Sequence, residues 1–91
     1  MAVSVRIPTI LRTYTDGASV VEASGDTLTT VLDDLDTRFP GIRARVVDDA
    51  GALRRFVNVY VNDNDVRFSD GLATPIGDGA TVSVIPAVAG G

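Results

Sequence analysis

The spacing of hydrophobic residues changes twice along this chain of 91 residues. At the start, apolar and polar residues alternate over residues 3–7, which predicts a strand with one buried face, ended by Pro8. After a long loop, the turn signal Thr15-Asp16-Gly17 precedes a short, β-branched segment at residues 18–22. We therefore predict that the first two strands pair as a hairpin.

A helical period follows, with apolar residues three and four positions apart. The helix stripe consists of Leu28, Val31, Leu32, Leu35 and Phe39. Asp26 or Ser24 is expected to cap the start of this helix. Pro40-Gly41 is expected to end it, because proline lacks a donor and glycine accepts a left-handed exit. Ile42 and Val46 indicate one more short helical turn.

The second half of the chain returns to strand patterns. Residues 55–62 predict a strand in which alternate valines face the helix, and the opposite face carries Phe56, Asn58, Tyr60 and Asn62. A short edge strand is predicted over residues 66–68, and a last strand over 81–86 after the Asp78-Gly79 turn. One main helix can cover one face of such a sheet, so the predicted fold class is α+β, with a mixed sheet of about four to five strands.

Composition narrows the possible functions. The chain contains no cysteine and no histidine, which removes thiolate chemistry, the usual metal ligands and the commonest general base. Its formal net charge of -4 disfavours nucleic acid as a partner. No apolar run approaches the roughly 18 residues that cross a bilayer, so we expect a soluble cytoplasmic protein with no membrane partner. These absences argue against an enzyme and favour function on a surface or a tail.

The acidic residues are interpreted as surface charge. Asp33, Asp34 and Asp36 lie off the helix stripe, and Arg38 is four residues after Asp34, as on a solvated helix face. The segment 62–65 begins like a calcium loop but lacks the required glycine and glutamate, so a polar hairpin turn is the better interpretation. No catalytic residue and no metal site is predicted.

The chain ends in small, uncharged residues. After the predicted domain of residues 1–86, we expect a flexible tail made of Ala87, Val88, Ala89, Gly90 and Gly91. Extended, these residues reach about 16 Å, enough for Gly91 to enter the active site of another protein. The two glycines would let the α-carboxylate approach a nucleotide phosphate, but activating a carboxylate needs ATP and a separate enzyme. On these residues alone, a frayed terminus is an equal alternative.

Several stretches resemble the MoaD/ThiS family of sulfur carriers. They are the strand Phe56–Asn62, the Asp78-Gly79 turn and the ending Ile85–Gly91, and the likeness covers essentially the whole chain. Within the family, further stretches resemble the actinobacterial carriers of cysteine biosynthesis: residues 7–12, 23–28, 61–63 with 65–68, and 71–74. The resemblance implies a ubiquitin-like β-grasp fold, with the main helix packed on one face of the sheet.

The resemblance also implies the chemistry of Gly91. Its carboxylate would be adenylated by a ubiquitin-activating-like adenylyltransferase and sulfurtransferase that uses ATP, and then converted to a thiocarboxylate. In the cysteine branch, the sulfur would attack the aminoacrylate that a pyridoxal-phosphate cysteine synthase makes from O-phosphoserine. An acyl shift to an amide and cleavage by a metalloprotease would release cysteine. The carrier itself would bind no cofactor and would not be an enzyme.

The predicted partner surface is the exposed sheet face beside the tail, with Phe56, Tyr60 and Ile85 as its apolar members. Partial cover of these aromatic residues by loops is the alternative interpretation. For function, one alternative is the small subunit of molybdopterin synthase, which would use the same thiocarboxylate in molybdenum cofactor biosynthesis. The other is a non-covalent ubiquitin-like adaptor in which the terminal glycines are incidental.

Overall fold

The strands of this protein form one mixed sheet. The structure, a computed structural model, describes residues 2–54 and 57–86, and of Pro86 it describes only the backbone. Its strands are β1 (Ala2–Arg6), β2 (Val20–Ser24), β3 (Val57–Val61), β4 (Asn64–Asp65) and β5 (Thr81–Pro86). They lie in the order β2-β1-β5-β3-β4. The predicted residue Phe56 and the predicted tail, residues 87–91, lie outside the described residues.

Strand β5 lies at the centre of this sheet. It runs parallel to β1 on one side, with Val5 opposite Val82, and antiparallel to β3 on the other, with Val59 opposite Val84. Strands β1 and β2 pair antiparallel, which confirms the predicted hairpin. The last strand is therefore held by hydrogen bonds on both sides, and it brings the chain towards the tail from the middle of the sheet.

Two α-helices accompany the sheet, α1 (Leu28–Arg38) and α2 (Ile42–Val46), as the sequence predicted. Short 3₁₀ segments cover Thr9–Thr15, Val66–Phe68 and Gly71–Ala73. Helix α1 ends at its C-cap Phe39, directly before Pro40, and Gly41 adopts the predicted left-handed conformation (φ +97°) as the N-cap of α2.

The core lies between α1 and one face of the sheet. The helix stripe residues Leu28, Val31, Leu32 and Leu35 are at most 1% exposed, and Phe39 packs against the same core. The sheet contributes the alternate valines of its central strands, including Val5, Val59 and Val82, each 0% exposed. Burying each leucine stabilises the fold by about 1.5–3 kcal/mol relative to exposure. The predicted α+β arrangement, with one main helix on one sheet face, is confirmed.

The start of α1 differs from the prediction. Thr27, rather than Asp26 or Ser24, is the N-cap: its hydroxyl accepts a hydrogen bond from the N–H of Thr30 at 3.3 Å. In return, the Thr30 hydroxyl accepts the N–H of Thr27 at 3.0 Å. A hydroxyl three residues into the helix thus completes a reciprocal capping box at Thr27.

The predicted edge strand over residues 66–68 is wrong. These residues form a 3₁₀ turn, because the Asp65 carboxylate accepts the N–H of Arg67 at 2.9 Å and bends the chain away from the sheet. The edge strand is β4 instead, joined to β3 by a two-residue turn in which Asn62 has φ +49° and Asp63 has φ +73°. Positive φ at both positions is the geometry of a type I′ hairpin. The predicted polar hairpin turn is confirmed, and Asn62 belongs to the turn rather than to the strand face.

Strand β2 begins at Val20, two residues later than the predicted segment 18–22. The reason is local: the N–H of Ala18 donates to the carbonyl of Thr15 at 3.0 Å, so the turn continues past Gly17.

Candidate functional site at the root of the tail

The carboxyl end of β5 is the described part of the chain that leads directly to the predicted tail. On the side of β3 it is paired to its last residues, with Asn58 opposite Ile85 and Val57 opposite Pro86. On the side of β1 the pairing ends earlier, at Arg6 opposite Ser83. Strand β5 therefore extends past the end of β1 while β3 still supports it.

A groove lies beside the part of β5 that extends beyond the end of β1. This tail-root groove has a volume of about 490 Å³ and is formed by residues 6–10, Arg12 and residues 83–85. Ile85 is 46% exposed and Ile10 is 67% exposed, so both present apolar surface to solvent. The ε-nitrogen of Arg12 donates to the carbonyl of Ile7 at 3.1 Å, which fixes this side chain against the groove.

The predicted partner residues Tyr60 and Ile85 lie on one face of the sheet. Val59 and Val84 are buried towards α1, so their neighbours in the alternation face the opposite side. Tyr60 is opposite Ser83 and Asn58 is opposite Ile85, which places Tyr60 and Ile85 in adjacent rows. Tyr60 is half-buried and Ile85 is exposed. The third predicted member, Phe56, lies outside the described residues.

Arg67 covers part of this face. Its guanidinium donates to the side-chain oxygen of Asn58 and, at 2.7 Å, to the carbonyl of Arg54. The amide of Asn58 is therefore engaged within the fold. Arg67 was not predicted on this surface, because nothing local in the sequence links residue 67 to residue 58.

The acidic residues of α1 support backbone turns. The Asp36 carboxylate accepts the N–H groups of Gly41 at 3.0 Å and Arg43 at 3.2 Å. Asp34 accepts the N–H of Ser24 at 2.9 Å and lies 3.5 Å from the ε-nitrogen of Arg38, the ion pair that the spacing indicated. These contacts give the carboxylates a structural role.

The chain matches the ThiS family over residues 5–91, a range that includes the predicted tail. It belongs to the ThiS family. This membership confirms the predicted resemblance to MoaD/ThiS sulfur carriers.

Full-length relatives of this ThiS-family chain are sulfur carriers. The sulfur carrier protein CysO of Mycobacterium tuberculosis is 58% identical over 93 residues, which cover 100% of both chains. A crystal structure of M. tuberculosis CysO superposes with a TM-score of 0.91 and 57% identity, over 94% of this chain and 99% of that one. A chain of the BexX/CysO complex from Amycolatopsis orientalis gives a TM-score of 0.92 and 55% identity, over 98% and 99%.

These likenesses confirm the ubiquitin-like β-grasp fold of the ThiS-family chain and its predicted similarity to CysO. Among residues 2–54 and 57–86, no group of three or more acidic side chains is arranged to hold a metal ion. Within the same residues, no helix is long and apolar enough to cross a membrane.

Proposed function

We propose that this ThiS-family chain is a sulfur carrier protein that donates sulfur for cysteine biosynthesis, with the sulfur held as a thiocarboxylate on Gly91. The observation that carries the proposal is its likeness to CysO over the full length of both chains, at 58% identity. The family match extends through Gly91, so the residue proposed to carry sulfur falls within the shared sequence.

The geometry of β5 suits a carrier. A strand paired on both sides is a rigid base, and β3 supports it as far as Pro86. The five following residues reach about 16 Å when extended, so Gly91 can enter a partner's active site while the β-grasp body stays outside. Ala87, Val88, Ala89 and Gly90 serve as the arm that gives this access.

The proposed chemistry is divided between the carrier and its partners. An adenylating enzyme transfers AMP from ATP to the Gly91 carboxylate and releases pyrophosphate. A sulfur donor then displaces AMP, leaving a thiocarboxylate whose sulfur is a soft nucleophile. The carrier needs no cysteine or histidine for these steps, because its partners supply the catalytic groups.

The same proposal extends to the transfer of sulfur. The thiocarboxylate sulfur forms a bond to the carbon acceptor that a pyridoxal-phosphate synthase makes from O-phosphoserine, with loss of phosphate. The acyl group then moves from sulfur to the amino nitrogen, giving an amide between Gly91 and cysteine. A metalloprotease adds water across this amide, releasing cysteine and restoring the carboxylate. ATP and pyridoxal phosphate belong to the partners, and the carrier acts as their substrate.

The test is a fragment mass of the protein isolated from its native host. Oxygen-to-sulfur exchange nearly matches an oxidation in mass, so the sample is alkylated with a thiol-reactive reagent before trypsin digestion. Cleavage after Arg67 leaves residues 68–91 as one fragment, which contains the tail and excludes Met1, the only methionine. A labelled fragment 68–91 supports a thiocarboxylate, and a cysteine-sized addition supports the cysteine pathway.

Two further outcomes decide between the alternatives. A chain with one alanine added after Gly91 should carry no label, because the blocked carboxylate cannot be activated. An unlabelled wild-type fragment under sulfur demand would contradict the carrier proposal and favour a non-covalent adaptor. Label together with stable co-purification of a larger synthase subunit would favour molybdopterin synthesis over cysteine.

A further inference from the structure

Ile10 is an exposed isoleucine held on an ordered segment. It is 67% exposed, whereas the next residue, Leu11, is 7% exposed and belongs to the core. The N–H of Leu11 donates to the carbonyl of Pro8 at 2.9 Å. At the far end of the 3₁₀ segment, the buried Thr15 hydroxyl donates to the carbonyl of Ala18 at 2.8 Å. The segment is thus anchored at both ends, and Ile10 is presented in a fixed position.

Ile10 stands between two grooves. On one side is the tail-root groove, and on the other is a second groove of about 400 Å³ formed by Ile10, Leu11, Thr13, Tyr14, Arg45 and Arg54. Arginines line both: Arg6 and Arg12 the first, Arg45 and Arg54 the second. We call Ile10 and these four arginines the Ile10 crest.

Charge is strongly segregated at the Ile10 crest. The chain has a net charge of -4, yet among the residues that the structure describes no aspartate or glutamate lines either groove. In the described part of the chain, the salt bridges are formed by Arg38 and Arg43, which lie outside the crest, so no crest arginine is paired with a carboxylate there. The crest is therefore a basic and apolar surface on an acidic protein, which would attract an acidic partner.

Three of the four crest arginines, Arg12, Arg45 and Arg54, are pre-oriented by hydrogen bonds that use only their ε-nitrogens. Arg45 donates from Nε to the Tyr14 hydroxyl at 2.7 Å and lies 5.8 Å from the centre of that ring. Arg54 donates from Nε to the carbonyl of Ala44 at 2.7 Å, and Arg12 bonds Ile7 in the same way. Within residues 2–54 and 57–86, their terminal nitrogens make no hydrogen bond, so these donors can meet carboxylates.

We propose that the Ile10 crest is the docking site for the enzyme that activates Gly91, and that it binds an acidic segment of that enzyme which also carries an apolar side chain. This inference rests on the proposed function. The tail-root groove, which Ile10, Arg6 and Arg12 line, extends to Ile85, one residue before the end of β5, so a protein bound at the crest has the root of the tail at its surface. The carboxylates of the segment pair with the crest arginines, and its apolar side chain packs between Ile10 and Ile85. A nucleic acid is the less suitable occupant, because the net charge repels phosphate. Tyr14, the aromatic residue of the second groove, packs against the core and accepts a hydrogen bond from Arg45, so it is not a free stacking platform for bases.

The experiment compares full-length variants in the native host by the labelled fraction of fragment 68–91. Ile10→Asp and Arg6→Glu should each lower loading by about tenfold or more at limiting expression, as loss of an interface anchor does. Phe68→Asp is the matched control, because Phe68 is 90% exposed and lies outside the crest, and it should load normally. All three variants should unfold at the wild-type temperature, since each changes an exposed side chain.

A competition arm separates docking from loading. The full chain with one alanine after Gly91 cannot be loaded, but its crest is intact, so in excess it should inhibit loading of the wild-type chain. The same extended chain carrying Ile10→Asp should not inhibit. Equal inhibition by both, or none by either, would overturn the docking proposal. Absence of label on the wild-type chain alone would instead contradict the proposed function.

Two binding measurements test other occupants. Crest-dependent binding of a single-stranded oligonucleotide, followed by fluorescence polarisation, would overturn the proposal in favour of nucleic acid. Dimerisation abolished by Ile10→Asp, measured by sedimentation, would assign the crest to a second copy of the chain. A monomer that does not bind the oligonucleotide supports an acidic protein partner.

Discussion

The side-chain carbonyl of Asn62 accepts a hydrogen bond from the backbone N–H of Thr81 at 3.0 Å, while the N–H of Asn62 donates to the carbonyl of Thr81 at 2.9 Å. This reciprocal pair ties the turn after β3 to the first residue of β5. Since β5 leads to the tail, the turn helps to fix the strand that positions it.

We expect Asn62→Ala to lower the free energy of unfolding by about 1–2 kcal/mol. The substitution removes the partner of the Thr81 N–H and places alanine at φ +49°, where asparagine is better tolerated. Urea unfolding followed by circular dichroism measures the change. Asp63→Gly is the control: at φ +73° glycine should keep or raise stability. An unchanged midpoint for Asn62→Ala would show that the bond contributes nothing.

Gly25 is required by a close approach to the start of α1. A β-carbon at this position would lie 2.5 Å from the Thr30 hydroxyl and 2.7 Å from the N–H nitrogen of Val31. Gly25→Ala must push the helix start away and disturb the capping box, so we expect a loss of about 1–3 kcal/mol. Thermal unfolding checks this against Gly77→Ala, where nothing lies within 4 Å of the added carbon. Equal unfolding temperatures for the two variants would contradict the clash.

The elements predicted correctly are those in which the spacing of apolar residues matches the spacing of the buried side chains. The stripe from Leu28 to Leu35 and the alternation in β1 and β5 follow directly from which side chains leave water. The cap of α1 could not be chosen in this way, because Ser24, Asp26 and Thr27 are all capping residue types. The choice was decided by Thr30, whose hydroxyl reaches back to Thr27.

Residues 66–68 show where strand propensity misleads. In a strand, Val66 and Phe68 would share one face, yet Val66 is 0% exposed and Phe68 is 90% exposed. A carboxylate at position 65 captured a backbone N–H and turned the chain, an effect that a β-branched and aromatic composition does not reveal. The Ile10 crest could not be predicted from the sequence either, because its arginines come from segments that are far apart in the chain.

Asp36 should matter more for stability than its neighbour Asp33. The Asp36 carboxylate accepts two backbone N–H groups at the start of α2, so Asp36→Ala should cost about 1–2 kcal/mol, as loss of a helix cap does. Asp33 pairs with Arg43 at 2.9 Å, but its side chain is 59% exposed, so Asp33→Ala should cost less than about 1 kcal/mol. Urea midpoints of the two variants provide the comparison. The reverse order would mean that the ion pair, not the cap, holds the α1–α2 connection.

Gly90 offers a test of access that leaves the fold unchanged. It comes four residues after the end of β5, so Gly90→Val should unfold like the wild type. A branched side chain beside the proposed sulfur-bearing residue should obstruct a narrow active-site channel and misplace the carboxylate, lowering loading by about a hundredfold. The labelled fraction of fragment 68–91 measures this, with Phe68→Ala as a control that should load normally, because Phe68 is 90% exposed and lies outside the tail. Normal loading of Gly90→Val would mean that the channel is wide, and that the carboxylate of Gly91, rather than the glycine pair, is the feature the partner requires.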